Sequence, residues 1–178
     1  MRYVGFAAAV LVLLVVPAPA PAEMSVQACF SPEGRCSGHI LREIVQAKKE
    51  LLIAVYAFTS DELAGAVAQA KRRGVAVQVI IDREFDERTE KSQGKFLETQ
   101  KIPLRRLSGI KPHLPDKDAG LMHQKFAVID RVNVLTGSYN WTRSAEAFND
   151  ENLLLFRNAG PLAEEYRRIF FQLWERKS

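Results

Sequence analysis

Apolar and polar positions along this chain switch repeatedly between a strand period of two and a helical period of 3.6. Alternating or continuously apolar runs predict strands at residues 26–30, 51–58, 75–81, 104–107, 123–129, 132–136 and 152–156. Amphipathic or polar runs predict helices at residues 37–49, 60–73, 84–100, 142–147 and 161–174. Because the two kinds of element alternate, the pattern predicts an α/β fold in which a mixed β-sheet is sandwiched between helices.

Local signals set several of the predicted boundaries. Ser37 and Ser60 are each expected to cap the helix that follows, since a serine oxygen can accept a free backbone N–H. Asp61 and Glu62 suit the positive end of the second helix, and Gly74 is expected to end it. The run at 75–81 is almost wholly apolar, as expected for a strand covered on both faces.

The first 22 residues have a different character from the rest. Residues 4–16 form an apolar run of 13 residues, and a membrane-spanning helix needs about 20. Ala20, Pro21 and Ala22 then resemble a small-residue cleavage site. We predict a signal peptide over residues 1–22, followed by one domain over residues 23–178, exported to the periplasm or secreted. An uncleaved membrane anchor is the alternative.

The cysteine and histidine content bounds the redox and metal chemistry. The chain has two cysteines, Cys29 and Cys36, and export favours a disulfide between them. Two free buried thiols are the alternative. The two cysteines and three histidines are scattered without metal-ligand spacing, so no metal site and no cofactor are predicted.

The richest candidate chemistry begins in the predicted strand at 123–129. Side chains two residues apart lie on the same face of a strand. His123 and Lys125 are therefore predicted to share one face, whereas Phe126 and Val128 point to the core on the other.

A second pair of polar side chains repeats this spacing a few residues later. Ser138 and Asn140 follow the next predicted strand and are again two positions apart. Together the two pairs would present an imidazole, an ammonium, a hydroxyl and a carboxamide. Such a set can bind and attack an anionic phosphate.

The full motif resembles the signature of the phospholipase D superfamily. It reads H-x-K-x4-D, then G-S-x-N, then an acid eleven residues after the asparagine. GSYNWT, NDEN, CFSPEG, VYAFTS and RRGVAVQVIID are similar to segments of its small bacterial endonuclease (Nuc-like) branch, and the resemblance covers roughly residues 27–176. It implies a phospholipase D-like fold with one motif per chain.

The residue types indicate a role for each member of the motif. His123 is the expected nucleophile, because an imidazole can attack phosphorus as a neutral base. Lys125, Ser138 and Asn140 are expected to hold the non-bridging oxygens as charge develops. Glu151 can accept a hydrogen bond from the far ring nitrogen of His123. Asp130 is assigned a structural role in a turn or an ion pair.

One motif supplies one histidine. Hydrolysis through a histidine nucleophile takes two steps, and it also needs a proton donor for the leaving group. The resemblance implies a symmetric homodimer in which the second His123 acts as general acid and then as base. Trp141, beside the motif, could line that contact, stack on a base or pack in the core. His113 is expected to be a loop residue, either solvated or touching substrate, and His39 to be structural.

The leading function is a metal-independent endonuclease acting on DNA or RNA. A phospholipase D acting on lipid head groups is the alternative, and the intact motif argues against a binding module with a dead site. The formal net charge of +4 permits a phosphate-rich partner without demanding one. Basic residues before the motif are either a solvated surface or a nucleic-acid-tracking surface: Lys91, Lys95, Lys101, Arg105, Arg106, Lys111 and Lys117.

Overall fold

The computed structural model describes Met1, residues 23–110 and residues 120–177. The strands in these parts are β1 (Ser25–Ser31), β2 (Glu50–Val55), β3 (Ala76–Asp82), β4 (Leu104–Leu107), β5 (Lys125–Ile129), β6 (Asn133–Gly137) and β7 (Glu151–Arg157). The helices are α1 (Cys36–Gln46), α2 (Asp61–Arg72), α3 (Arg83–Arg88), α4 (Gly94–Thr99), α5 (Arg143–Ala147) and α6 (Gly160–Glu175).

The strands form one mixed sheet with the order β1-β7-β6-β5-β2-β3-β4. The pairs β2–β3 and β3–β4 are parallel. The pairs β1–β7, β7–β6, β6–β5 and β5–β2 are antiparallel. Helices α1 and α2 contribute to the core on one face, and α6 covers the other. The predicted sandwich of helices around a mixed sheet is confirmed.

Strand β5 illustrates how the sheet divides the two cores. Phe126 and Val128 are buried on the α6 side, as their spacing predicts. Ala127 and Ile129 are buried on the side of α1 and α2. The central strands are therefore covered on both faces, which explains their nearly continuous apolar sequences.

The sheet brings the motif segments to one edge. β5 runs antiparallel to β2, with Val55 opposite Lys125. β6 runs antiparallel to β7, with Gly137 opposite Leu153. As a result, β2 and β6 end at the edge where β5 and β7 begin.

One of the two predicted serine caps is confirmed and the other is wrong. Ser60 Oγ accepts a hydrogen bond from the N–H of Leu63 at 3.3 Å and caps α2. α1 instead begins at Cys36 after Arg35, whose φ of 53° lies in the left-handed region and whose side chain makes no capping hydrogen bond. The N–H of Ser37 donates to Glu146 Oε2 at 3.0 Å, so a side chain from α5 satisfies this donor of the first turn.

The single helix predicted over residues 84–100 is also wrong, because the chain forms α3 and α4 with a turn between them. The buried carboxylate of Asp86 accepts hydrogen bonds from Ser92 Oγ and from the N–H of Gly94, and it pairs with Arg106 at 2.6 Å. A buried carboxylate is costly unless it is paired in this way. The bonds to Ser92 and Gly94 hold the turn, and the pairing with Arg106 on β4 keeps the carboxylate in place; helical periodicity reports none of them.

Cys29 and Cys36 form the disulfide favoured by the sequence, with their Cα atoms 5.8 Å apart. The bond joins β1 to the first residue of α1 across the short loop CFSPEGRC. The predicted signal peptide lies outside the described residues, apart from Met1. In residues 23–110 and 120–177, no helix has the length and apolar character needed to cross a membrane.

Candidate active site

A pocket of about 360 Å³ opens at the edge of the sheet where β2 and β6 end and β5 and β7 begin. Its lining contains every side chain predicted from the motif to take part in the chemistry. The lining residues are His123, Lys125, Gly137, Ser138, Asn140 and Glu151. Three separate segments of the chain are thus brought around one cavity.

His123 lies just before β5, rather than inside the predicted strand, and its side chain is exposed. The preceding residue is anchored, because the N–H of Met122 donates to Asp82 Oδ2 at 2.9 Å. Partial burial lowers the pKa of His123, the positive charge of Lys125 lowers it further, and Asp82 opposes the change. The surroundings therefore favour the neutral imidazole that a nucleophile requires.

Lys125 is the first residue of β5, and its side chain is half-buried. Its Nζ donates to the carbonyl oxygen of His123 at 3.1 Å and lies 5.2 Å from the centroid of the Tyr56 ring. Burial lowers the pKa of Lys125, and the carboxylate of Glu151 raises it. Glu151 thus supports the charged ammonium that would neutralise a phosphate.

The loop after β6 places the neutral donors of the site. Gly137 has a φ of 148°, and a Cβ there would lie 2.3 Å from the carbonyl oxygen of Asn152. Ser138 Oγ accepts a hydrogen bond from the N–H of Asn152 at 3.0 Å, leaving its own hydroxyl proton free to be donated. Glycine is required at 137 because any side chain would push the loop away from β7.

Asn140 contributes a carboxamide whose Oδ1 is buried and has no hydrogen-bond partner among the described residues. A buried amide oxygen without a partner is costly. The amide group lines the pocket, where its Nδ2 can donate to a non-bridging oxygen of a substrate phosphate, whereas Oδ1 can only accept from a donor.

The expected hydrogen bond between Glu151 and His123 is not among those formed in the described part of this single chain. Glu151 Oε1 instead accepts a hydrogen bond from Asn149 Nδ2 at 3.1 Å. Both side chains still line the pocket, and the Glu151 carboxylate acts electrostatically on Lys125.

Asp130 lies at the far end of β5, outside the residues that line the pocket. Its φ of 52° places it in a left-handed turn. Its carboxylate accepts hydrogen bonds from the N–H groups of Lys48 at 2.9 Å, Lys49 at 2.6 Å and Glu50 at 3.0 Å. Asp130 thereby ties the β5–β6 turn to the segment between α1 and β2.

Two residues beside the site were not singled out from the sequence. Asp82 is 1% exposed and holds Met122, while the ring of Tyr56 lies 4.6 Å from that of His123. An acid directly after the apolar run VQVII is a usable signal, since a buried carboxylate needs specific partners. Tyr56 carries no comparable signal, because an aromatic residue after an apolar strand usually belongs to the core.

Other candidate residues have structural roles. Trp141 is 2% exposed and packs edge-on against Phe58 at 5.1 Å, so it belongs to the core and cannot stack on a base. His39 Nδ1 lies 2.6 Å from Arg42 NH2 in α1. Arg106 pairs with Asp86 and Glu98.

Two further expectations concern His113 and metal binding. His113, like Lys111 and Lys117, lies outside the described residues. Among residues 23–110 and 120–177, no group of three or more histidine, cysteine, aspartate or glutamate side chains is placed to hold a metal ion. Metal independence stays a prediction.

Two solved structures share this architecture along almost their whole length. One is the phospholipase D family member Nuc from Salmonella typhimurium, with 32% identity and a TM-score of 0.74, for which the match covers 85% of this chain and 95% of that one. The other is NucT from Helicobacter pylori, with 27% identity and a TM-score of 0.78, covering 86% and 97%.

Curated relatives align over the same region but are longer. The chain is 36% identical over 149 residues to the mitochondrial cardiolipin hydrolase of Canis lupus familiaris, covering 83% of this chain and 53% of that protein. It is 31% identical over 147 residues to a phospholipase D of Rickettsia prowazekii, covering 83% and 66%. The chain thus spans between about half and two thirds of these two relatives.

The family described as "Cardiolipin synthase, PLD-like domain" matches residues 40–174, which include the whole pocket. The fold and the sequences of these relatives all point to one superfamily. The chain therefore belongs to the phospholipase D superfamily, as a Nuc-like member whose sequence contains one H-x-K motif.

Proposed function

We propose that this protein is an exported, metal-independent endonuclease that hydrolyses DNA, with RNA as a second substrate of the same class, through a phosphohistidine intermediate. The observation that carries the proposal is the convergence of His123, Lys125, Ser138 and Asn140 on one pocket. This set contains a neutral nucleophile, one cation and two neutral polar groups, which together meet the needs of an anionic phosphodiester.

In the first step a ring nitrogen of His123 attacks phosphorus, and the bond from phosphorus to the leaving oxygen breaks. Lys125 and the two neutral side chains hold the non-bridging oxygens as negative charge develops on them. A general acid gives a proton to the leaving alkoxide. In the second step water loses a proton to the conjugate base of that acid and attacks phosphorus, which releases His123.

We propose that the acid is His123 of a second copy of the chain, within a symmetric homodimer. The 178 residues contain one H-x-K motif, and His123 is the one histidine that lines the pocket among the described residues. A two-fold axis beside the pocket would supply the second imidazole without another motif. The exposed position of His123 is compatible with such a contact.

Nucleic acid is the proposed substrate because the likeness to Nuc and NucT extends over 95% and 97% of those chains. Their names point to nucleases, and they do not require more chain than this domain contains. Phospholipid is the second candidate, favoured by relatives named cardiolipin hydrolase and phospholipase D. Those proteins have additional length in which lipid recognition could lie.

Export rests on the sequence of residues 1–22 and is supported by the disulfide, since such bonds persist in oxidising compartments. The protein would then act in the periplasm or outside the cell. A membrane-anchored form would result if the leader is not cleaved.

The deciding experiment uses purified protein spanning residues 23–178 in excess EDTA. It is incubated with circular single-stranded DNA, plasmid, RNA, phosphatidylcholine vesicles and cardiolipin vesicles, each alongside a His123→Ala control. Cleavage of DNA, with or without RNA, and little lipid turnover is expected. Lipid hydrolysis without cleavage of nucleic acid would establish the second candidate and contradict the first.

A further inference from the structure

An aromatic ring lies against both the proposed nucleophile and the proposed phosphate-binding cation. The ring of Tyr56 lies 4.6 Å from that of His123, with 59° between the two planes. Lys125 Nζ lies 5.2 Å from the centroid of the same tyrosine ring. One side chain thus touches the two groups whose relative placement decides whether the nucleophile meets a bound phosphate.

The Tyr56 ring is itself held in place. Phe85 packs against it, with ring centroids 5.3 Å apart. The N–H of Phe85 donates to Asp82 Oδ1 at 2.9 Å, and the other oxygen of that carboxylate holds Met122 beside His123. The N–H of Tyr56 donates to the carbonyl oxygen of Gln124 at 2.8 Å. The ring and the segment that carries the nucleophile therefore form one connected unit.

We propose that Tyr56 is a positioning residue for His123 and Lys125, whose ring holds the imidazole and the ammonium in their working orientations and excludes water from one side of each. The proposal rests on the proposed role of His123 as nucleophile. A cation on an aromatic face is stabilised electrostatically. This contact restrains an ammonium on a flexible four-carbon stem, which would otherwise sample many orientations.

The charges facing His123 give the expected direction of a pH effect. Within the described residues, Lys125 on β5 lowers the pKa of His123 and Asp82 at the end of β3 raises it, while Glu151 on β7 lines the same pocket. The first cause of the lowered pKa is burial. Removing the Tyr56 ring admits water, so the pKa of His123 should rise toward its ordinary value.

The test compares Tyr56→Leu and Tyr56→Phe with a matched control, Tyr166→Leu. Tyr166, on α6, packs against Phe126, with ring centroids 5.1 Å apart. It therefore contacts β5, the strand that begins with Lys125, from the α6 side of the sheet. The readouts are kcat and KM on bis(p-nitrophenyl) phosphate, their pH profiles, and the NMR titration of His123. His123→Asn assigns that resonance among the three histidines.

Tyr56→Leu should lower kcat about tenfold with little change in KM, which corresponds to about 1.4 kcal/mol of barrier. It should also move the His123 titration to higher pH. Tyr56→Phe should keep both properties, because it keeps the ring face. Tyr166→Leu should lower Tm and leave the titration of His123 unchanged.

An unchanged kcat and titration in Tyr56→Leu would overturn the proposal, as would equal losses in the leucine and phenylalanine variants. If Tyr56→Leu does not fold, Tyr56→Met provides the same comparison with a flexible side chain. Retained activity in His123→Ala would instead refute the proposed nucleophile. The NMR titration tests the positioning role separately, because it needs no turnover.

Discussion

Lys125 Nζ donates a hydrogen bond to the backbone carbonyl oxygen of His123 at 3.1 Å, so the cation is tied to the residue that carries the nucleophile. The two side chains line the same pocket from the start of β5. Removing one should leave the other nearly in place. Substitution of His123 or of Lys125 should therefore change catalysis more than folding.

His123→Ala should abolish turnover, because no other described side chain in the pocket is an imidazole. Lys125→Ala should lower kcat by about 100-fold or more, in the range seen when one preorganised charge-stabilising donor is lost. Steady-state kinetics on a phosphodiester substrate, with circular dichroism to verify folding, measures both effects. Wild-type turnover in folded His123→Ala protein would refute the mechanism.

The activity should follow a bell-shaped pH profile centred on the acid side of ~6.5, the ordinary pKa of histidine. In the proposed dimer one imidazole must be neutral and the other protonated, so the productive state is most populated near their common pKa. Burial and the charge of Lys125 lower that pKa, while Asp82 partly opposes them. Measurements of kcat/KM from pH 4 to 10 locate the centre. An optimum clearly above ~6.5 would contradict this assignment.

Catalysis should survive chelation. The proposed mechanism uses Lys125, Ser138 and Asn140 to offset the charge of the phosphate, a task that divalent metals perform in many nucleases. Initial rates before and after dialysis against EDTA should agree within about twofold, and added Mg²⁺ should not stimulate the reaction. Loss of activity in EDTA that Mg²⁺ restores would require a different chemistry.

Gly137→Ala should destabilise the protein and misplace Ser138. A Cβ at 137 would meet the carbonyl oxygen of Asn152 at 2.3 Å, and the φ of 148° is unfavourable for a side chain. Gly65→Ala is the matched control, since a Cβ there meets nothing within 4 Å inside α2. Thermal melting should show a lower Tm for the first variant and an unchanged or higher Tm for the second. Equal Tm values and activities in both would disprove the tight approach of the loop to β7.

The homodimer should be detectable by subunit poisoning. When wild type is co-refolded with a ninefold excess of His123→Ala, a wild-type chain finds a wild-type partner in roughly one case in ten, if pairing is random. Activity per wild-type chain should fall by about the same factor. Mixing the folded proteins without exchange is the control. A monomer with full activity, established by sedimentation under assay conditions, would contradict the two-chain site.

The sequence by itself determined the class of fold and the members of the pocket. Period-two and 3.6 patterns identified the strands and most helices, because the side chains that face a core recur at those spacings. The segments that carry His123, Lys125, Ser138 and Asn140 were recognisable because each pair is local in the chain. The structure places all four, with Glu151, around one cavity.

Only the tertiary structure decided relationships between distant segments. The buried carboxylate of Asp86, paired with Arg106 on β4, divides a predicted helix, and Glu146 satisfies the N–H of Ser37 from 109 residues away. Packing assigned Trp141 to the core and brought Tyr56 to His123. Periodicity reports which side of an element faces inward, but not which residue meets it there. Such contacts depend on how the completed sheet brings together parts of the chain that are far apart in sequence.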